Sequence, residues 1–203
     1  TDNPEYLTKH YRHKNNAANG YPAQRALYKH YSLVAEIIEV LRILALLISG
    51  DPNVDADVTN NAPWFDINVR ELDEVIAKLD AQTHRRQIKT HTPFDGIPIW
   101  PDLRYLTIYR HPIDVHFSFR KHLANMTQDV LGDIYPKDIS AGFQIFLEGD
   151  HFDGASLSTI ISHYQSALEL EPSGNLLRLH YADMQRDLPH GIARIAEHVG
   201  INH

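Results

Sequence analysis

The chain has 203 residues, 43% of them hydrophobic, which suits one domain with a sizeable core and excludes a disordered polymer. Its 19 Lys+Arg against 26 Asp+Glu give a formal charge of −7, which excludes a groove for bulk nucleic acid, since that partner needs a net basic face. The absence of cysteine excludes disulfides and thiolate metal sites, and together with a polar Thr1–Asn19 stretch it sets the expectation of a cytoplasmic protein without a signal peptide.

Residues 1–31 are rich in Tyr, His, Asn and Lys without clear periodicity and read as an irregular arm. Leu33 to Ser49 reads as a helix stopped by Gly50 and Asp51-Pro52. Its apolar run Val40–Ile48 is broken by Arg42 and is far short of the roughly 20 residues of a membrane span, so no membrane partner is expected. Asp51 to Asn61 is a polar loop. Asn68 to Ala81 has Leu72, Val75, Ile76 and Leu79 at helical spacing. Short strands are expected at Arg86–Thr90 and Arg104–Tyr109, joined through a proline-rich loop over Pro93–Asp102. Pro112 opens a helix to Asn125, at its first position, where its missing donor does no harm.

Met126 to Tyr135 reads as loop and Lys137 to Phe146 as helix. Ser156 is placed to cap a helix with Leu157, Ile160, Ile161, Tyr164 and Leu168 as its buried stripe, ended by Pro172-Ser173-Gly174. A third strand spans Leu176–His180. A last helix runs from Asp187 to Val199, with Leu188, Ile192, Ile195 and Val199 inward and Gly200 as its stop. Strands alternating with helices predict a three-layer α/β domain with a mainly parallel sheet, the three strands being neighbours. Ligands of such sheets sit at the carboxyl ends of the strands.

Polar residues of chemical interest fall at those ends. Lys89 and His91 flank Thr90, and alternation puts both on one side of an extended chain. A cation there can stabilise a leaving oxygen and a histidine can take a proton from a hydroxyl, although a plain surface strand end accounts for the pair as well. Arg110 leaves a strand just before the Pro112 helix, whose N-terminus attracts anions, with Asp114 and Ser118 four apart on one face. A capped helix with a stray arginine is the simpler alternative. Tyr181 exits the last strand, placed to stack on a base, and Asp183 is placed as a cap just beyond it. A metal is not expected: His111 and His116 are five apart, off a shared helical face, and His10 and His13 lie in the arm.

Taken together, these blocks resemble the sulfotransferases that use 3′-phosphoadenosine 5′-phosphosulfate (PAPS), in particular the bacterial branch of the cytosolic type. Ala62-Pro63-Trp64-Phe65 is similar to the family's Pro-Trp block, Arg86 to His91 to its Lys-Thr-His strand end, Tyr109 to Ser118 to its 3′-phosphate motif, and Leu177 to Met184 with Ala193 to Ile201 to its Tyr-Glu-Asp-Met block and following helix. The likeness spans Val40 to Ile201, and the order and spacing of the blocks carry it. It implies a P-loop-kinase-like sulfotransferase fold in one domain. It also implies sulfuryl transfer from PAPS to a hydroxyl of a small-molecule acceptor, without a metal or a covalent intermediate. His91 would be the base and Lys89 would stabilise the leaving oxygen. Arg110 and Ser118 would hold the 3′-phosphate, and Tyr181 would lie against adenine. A homodimer is compatible with this reading.

Two pieces of the family pattern find no counterpart: a phosphate loop of the Pro-Lys-Ser-Gly-Thr-Thr-Trp kind before Val40, and an Arg-Lys-Gly segment beyond Ile201. The expectation is that the loop belongs between Glu39 and Val40, which would interrupt the first helix there. The alternative function is a non-catalytic protein of the same fold that binds an adenosine phosphate or a partner. The missing loop favours it, and the retained Lys89 and His91 oppose it.

Overall fold

The computed structural model describes residues 34–54, 61–64, 71–124, 136–148, 156–170 and 174–201. The arm expected over 1–31 and the loop expected over 126–135 lie outside them. The first helix, α1 (Val34–Ser49), runs without a break through Glu39–Val40. It stops where the sequence indicated: Gly50 adopts φ 63°, left-handed backbone that a Cβ disfavours, and donates its amide to the Leu46 carbonyl at 2.9 Å. Helix α2 (Leu72–Asp80) follows, with Val75 and Leu79 buried.

Strand β1 (Tyr105–Tyr109) leads into helix α3 (Pro112–Ala124), then α4 (Ile139–Glu148) and α5 (Leu157–Leu170). Asp138 caps α4 by accepting the Ala141 amide at 2.7 Å. Ser156 Oγ accepts the Thr159 amide at 3.2 Å, the cap expected for α5. Strand β2 (Leu176–His180) pairs in parallel with β1, from Tyr105 opposite Leu176 to Tyr109 opposite His180.

This register sorts the strand residues into two faces. Leu106, Ile108, Leu177 and Leu179 point one way and join Val40, Ile43, Leu44, Met184, Ile195 and Val199 in one core. Tyr105, Tyr109 and Leu176 point the other way, onto Phe94, Ala167, Tyr164 and the loop residues Ile97 and Ile99. Helices thus cover both sides of the strand pair, as parallel strands require. A smaller core of Val115, Phe146 and Ile160 joins α3, α4 and α5.

Three expectations need correction. Arg86–Thr90 is not a strand: Lys89 forms only an isolated parallel bridge with Trp64. The reason is an inverted pattern, in which Gln87 is buried and Ile88 is 40% exposed, so the segment has no apolar face to lay on a sheet. The stripe of α5 is also displaced. Ile161 and Leu168 are exposed, while Ile160, Ser166 and Ala167 are buried. Lastly, a short helix that was not expected, α6 (Tyr181–Arg186), comes directly before the expected last helix, α7 (Leu188–Val199), and Leu188 of that helix does not face inward. Asp187 breaks them with φ −147° and ψ 79°, and its carboxylate accepts the His190 amide at 3.0 Å. Pro189, at the second position of α7, is tolerated there because the first-turn amides have no intrahelical partner to lose. Leu188 is exposed, while Ile195 and Val199 are buried and Gly200 ends the helix at φ 67°.

The two helices pack through Gly191, whose missing side chain is replaced in space by Met184. Gly191→Ala gains about 1 kcal/mol of helix propensity, but a Cβ there meets the Met184 sulfur. Overpacking of this kind costs about 1–3 kcal/mol. The expected result is net destabilisation, read as a lowered urea midpoint, and Gly191→Ala should cost less on a Met184→Ala background than in the wild type. A stabilised Gly191→Ala variant would show that the Met184 side chain moves aside freely.

Candidate active site

Both strands end at one edge. The last ladder pair is Tyr109 with His180, and the next residues are Arg110 and Tyr181. The Arg110 guanidinium lies over the Tyr181 ring, 4.9 Å from its centroid. Its Nε also approaches Asp114 at 3.6 Å, one turn into α3. The Tyr181 hydroxyl accepts from Gln185 Nε2 at 2.8 Å, which fixes the ring on α6. A cation, an aromatic face and the first turn of a 13-residue helix thus meet at the carboxyl edge of the strands. Ser118 is half-buried farther along α3 and hydrogen-bonds to neither Arg110 nor Tyr181.

Lys89 and His91 form a second group around Trp64. The Lys89 amide donates to the Pro63 carbonyl at 3.1 Å, which brings the 86–91 segment beside the Pro-Trp block. The Lys89 Nζ sits 4.2 Å from the centre of the indole. The His91 ring lies 4.5 Å from the same indole, tilted by 37°, and is buried. Lys89 and His91 therefore both contact the Trp64 indole. The sequence marked Trp64 as part of a block but gave it no role. Its position became visible only through the bridge to Lys89.

Beyond His91 the chain turns sharply, the Thr92 amide donating to Thr90 Oγ1 at 3.0 Å, and reaches a 3₁₀ turn at Phe94–Gly96. Phe94 is buried against Tyr105 and His163. Two surface depressions of about 410 and 340 Å³ lie elsewhere, one around Leu47, Gly50, Arg85 and Ile201, the other around Ile99, Pro101 and Arg104. Neither includes Lys89, His91, Arg110 or Tyr181. Among the described residues no three His, Asp or Glu side chains converge as metal ligands, and no helix is long and apolar enough to cross a membrane.

The layering defines an α/β domain whose strand ends gather a cation, an aromatic ring and a helix N-terminus. The chain belongs to the family of the sulfotransferase domain, whose model matches residues 11–203. Among curated proteins it is similar to a glycolipid sulfotransferase of Mycobacterium bovis, with 29% identity over 191 residues, and to one of Mycobacterium tuberculosis, with 30% over 190 residues. Each match covers 79% of this chain but 58% of the relative, so the chain spans less than two thirds of their length. Its fold is similar to that of a mouse sulfotransferase (SULT7A1) complexed with PAP, with a TM-score of 0.57 and 20% identity over 80% of this chain and 54% of the other. It is also similar to retinol dehydratase in a complex with retinol and PAP, with a TM-score of 0.60 and 20% identity over 82% and 57% of the two chains.

Helix α3 carries Asp114 and Ser118 and is held from beneath by Val115, His116 and Phe119. The His116 ring packs 4.9 Å from Phe146 and 5.4 Å from Phe143 of α4. Burial, with a lesser push from Arg120, lowers its pKa from 6.5 to about 4. The folded state thus holds His116 neutral, while the unfolded state takes up the proton first as pH falls. The stabilisation is full above pH 6.5 and is lost progressively between 6.5 and 4. Burial lowers His163 and His198 as well, so they add to the same slope. His116→Phe keeps an aromatic ring and removes one titration. Urea midpoints measured at pH 7.5 and 5 should differ less in this variant than in the wild type, and an equal difference would remove His116 from the cause.

Proposed function

We propose that this chain carries the catalytic core of a PAPS-dependent sulfotransferase acting on a hydroxyl of a small molecule. The glycolipid class of its mycobacterial relatives provides the first acceptors to test. The observation that carries the reading is Arg110 lying over Tyr181 at the shared carboxyl edge. The group fits: the arginine suits a 3′-phosphate, the ring an adenine face, and the α3 N-terminus adds oriented amides. The Arg110–Asp114 contact does not oppose it. An i,i+4 pair at 3.6 Å with Asp114 56% exposed is worth about 0.3–0.5 kcal/mol. A charge-assisted hydrogen bond to a phosphate is worth about 1.5–3 kcal/mol. Arg110 therefore exchanges partners readily.

PAPS supplies an activated sulfuryl group whose phosphate oxygen is the leaving atom. In this reading His91 accepts the proton of the acceptor hydroxyl as that oxygen bonds to sulfur. Lys89 neutralises the negative charge left on the departing phosphate oxygen. Trp64 limits the freedom of both side chains, so that positioning and charge stabilisation supply the catalysis. Ser118 belongs to the same reading as a second phosphate contact, reached by the ligand rather than by Arg110. The alternative is a binder of an adenosine phosphate that performs no transfer. The convergence of Lys89 and His91 on one indole favours the enzyme.

Adenosine 3′,5′-bisphosphate (PAP) should raise the melting temperature of the full-length protein. Arg110→Ala should weaken its binding by about 1.5–3 kcal/mol. His91→Ala should leave that affinity nearly intact and slow transfer of labelled sulfate to a working acceptor by ~10²–10⁴-fold. Unchanged transfer in His91→Ala would remove it as the base. Nucleotide binding without transfer to any glycolipid, phenol or alcohol by the wild type would favour the binder.

A further inference from the structure

A buried polar network joins the two halves of the candidate site. Tyr109, the residue before Arg110, points away from the main core and is 4% exposed. Its hydroxyl meets His163 Nδ1 at 2.7 Å and donates to the His163 carbonyl at 3.1 Å. Either partner of the Nδ1 contact can donate, according to the tautomer of the imidazole. The same carbonyl accepts from Ser166 Oγ at 2.8 Å, and Ser166 Oγ accepts the Phe94 amide at 3.2 Å. Phe94 lies three residues beyond His91, and its ring meets the His163 ring edge-on with centroids 5.9 Å apart. The His163 ring is also 5.6 Å from that of Tyr109.

We propose that His163 is a positioning residue, which through Tyr109 and Ser166 holds the His91-bearing segment in fixed register with Arg110. The proposal rests on the sulfotransferase reading and deepens it. The segment from Arg86 to Thr92 lacks a ladder of its own, Lys89 making only a single bridge. The Phe94 turn just beyond it is where side chains tie it to the layer behind β1. The α5 node supplies that tie, since one helical turn, His163 to Ser166, grips both the end of β1 and the Phe94 turn. Both titratable members stay uncharged near neutrality: burial lowers His163 and raises Tyr109 to about 12. The network is thus neutral and does not compete with the charged groups at the site.

Tyr109→Phe, His163→Ala and His163→Asn in the full-length protein test this. Each is compared with the wild type by cooperative melting, PAP affinity, turnover and the side-chain nitrogen resonances of His91 in histidine-labelled protein. Tyr109→Phe and His163→Ala should fold, shift the His91 resonances and lower kcat by about 10- to 100-fold, the scale of a misplacement near 1 Å. The KM for the acceptor should change far less. His163→Asn keeps a polar atom near the place of Nδ1 and should hold kcat within about threefold of wild type. Wild-type His91 resonances and wild-type turnover in a folded His163→Ala would overturn the proposal, as would a loss of stability with kcat per folded molecule unchanged. Should the wild type fail to bind PAP, the sulfotransferase reading falls. The His91 resonances still decide whether the network positions that residue, because Tyr109→Phe retains the ring and the fold.

Discussion

Parallel pairing of two five-residue strands is the constraint on which the rest depends. The register Tyr105–Leu176 through Tyr109–His180 fixes which residues enter which layer. A slip of one residue would turn Ile108 and Leu179 to opposite faces and break the core with α1 and α7. It would also separate Arg110 from Tyr181, which meet because each follows the last paired residue of its strand. The same alternation that buries Ile108 and Leu179 therefore builds the candidate edge.

The two faces of this pair are packed with different chemistry. The face toward α1 and α7 is aliphatic, and Gly191 lets Met184 come close to the backbone of α7. The face toward α5 is aromatic and polar, with Tyr105, Tyr109, His163 and Ser166 held by hydrogen bonds. Tyr105 completes this layer by accepting the Trp100 amide at 3.0 Å and donating to the Pro98 carbonyl at 3.2 Å. An aliphatic layer is tolerant of small shifts, whereas hydrogen bonds fix distance and direction. The polar layer is accordingly the one that lies behind the candidate site.

Both cations of that site rest on aromatic faces, Lys89 on Trp64 and Arg110 on Tyr181. A ring orients a cation at a gain of about 0.5–2 kcal/mol without neutralising it. A buried carboxylate would satisfy the charge and oppose an incoming anion. The Asp114 contact with Arg110 is long, and Asp114 is solvent-exposed. In the proposed reading, this is how an acidic protein of net charge −7 would keep an edge for a polyanion.

Much of this was local enough to be legible in the chain itself. Leu176–His180 was bounded correctly, because a short apolar run between a glycine and polar residues has few other options. The stops at Gly50 and Gly200 and the cap at Ser156 come from backbone freedom and side-chain reach within a few residues. Sequence motifs also singled out Lys89, His91, Arg110 and Tyr181. Tertiary structure alone decided what these residues touch. That Trp64 gathers Lys89 and His91 depends on a bridge across 25 positions, and that His163 binds Tyr109 depends on α5 crossing the sheet. It also decided that Arg86–Thr90 does not become a strand and that Ile161 and Leu168 face outward. Periodicity reports which residues share a side of an element, but burial depends on which elements lie opposite, and no local pattern specifies those neighbours.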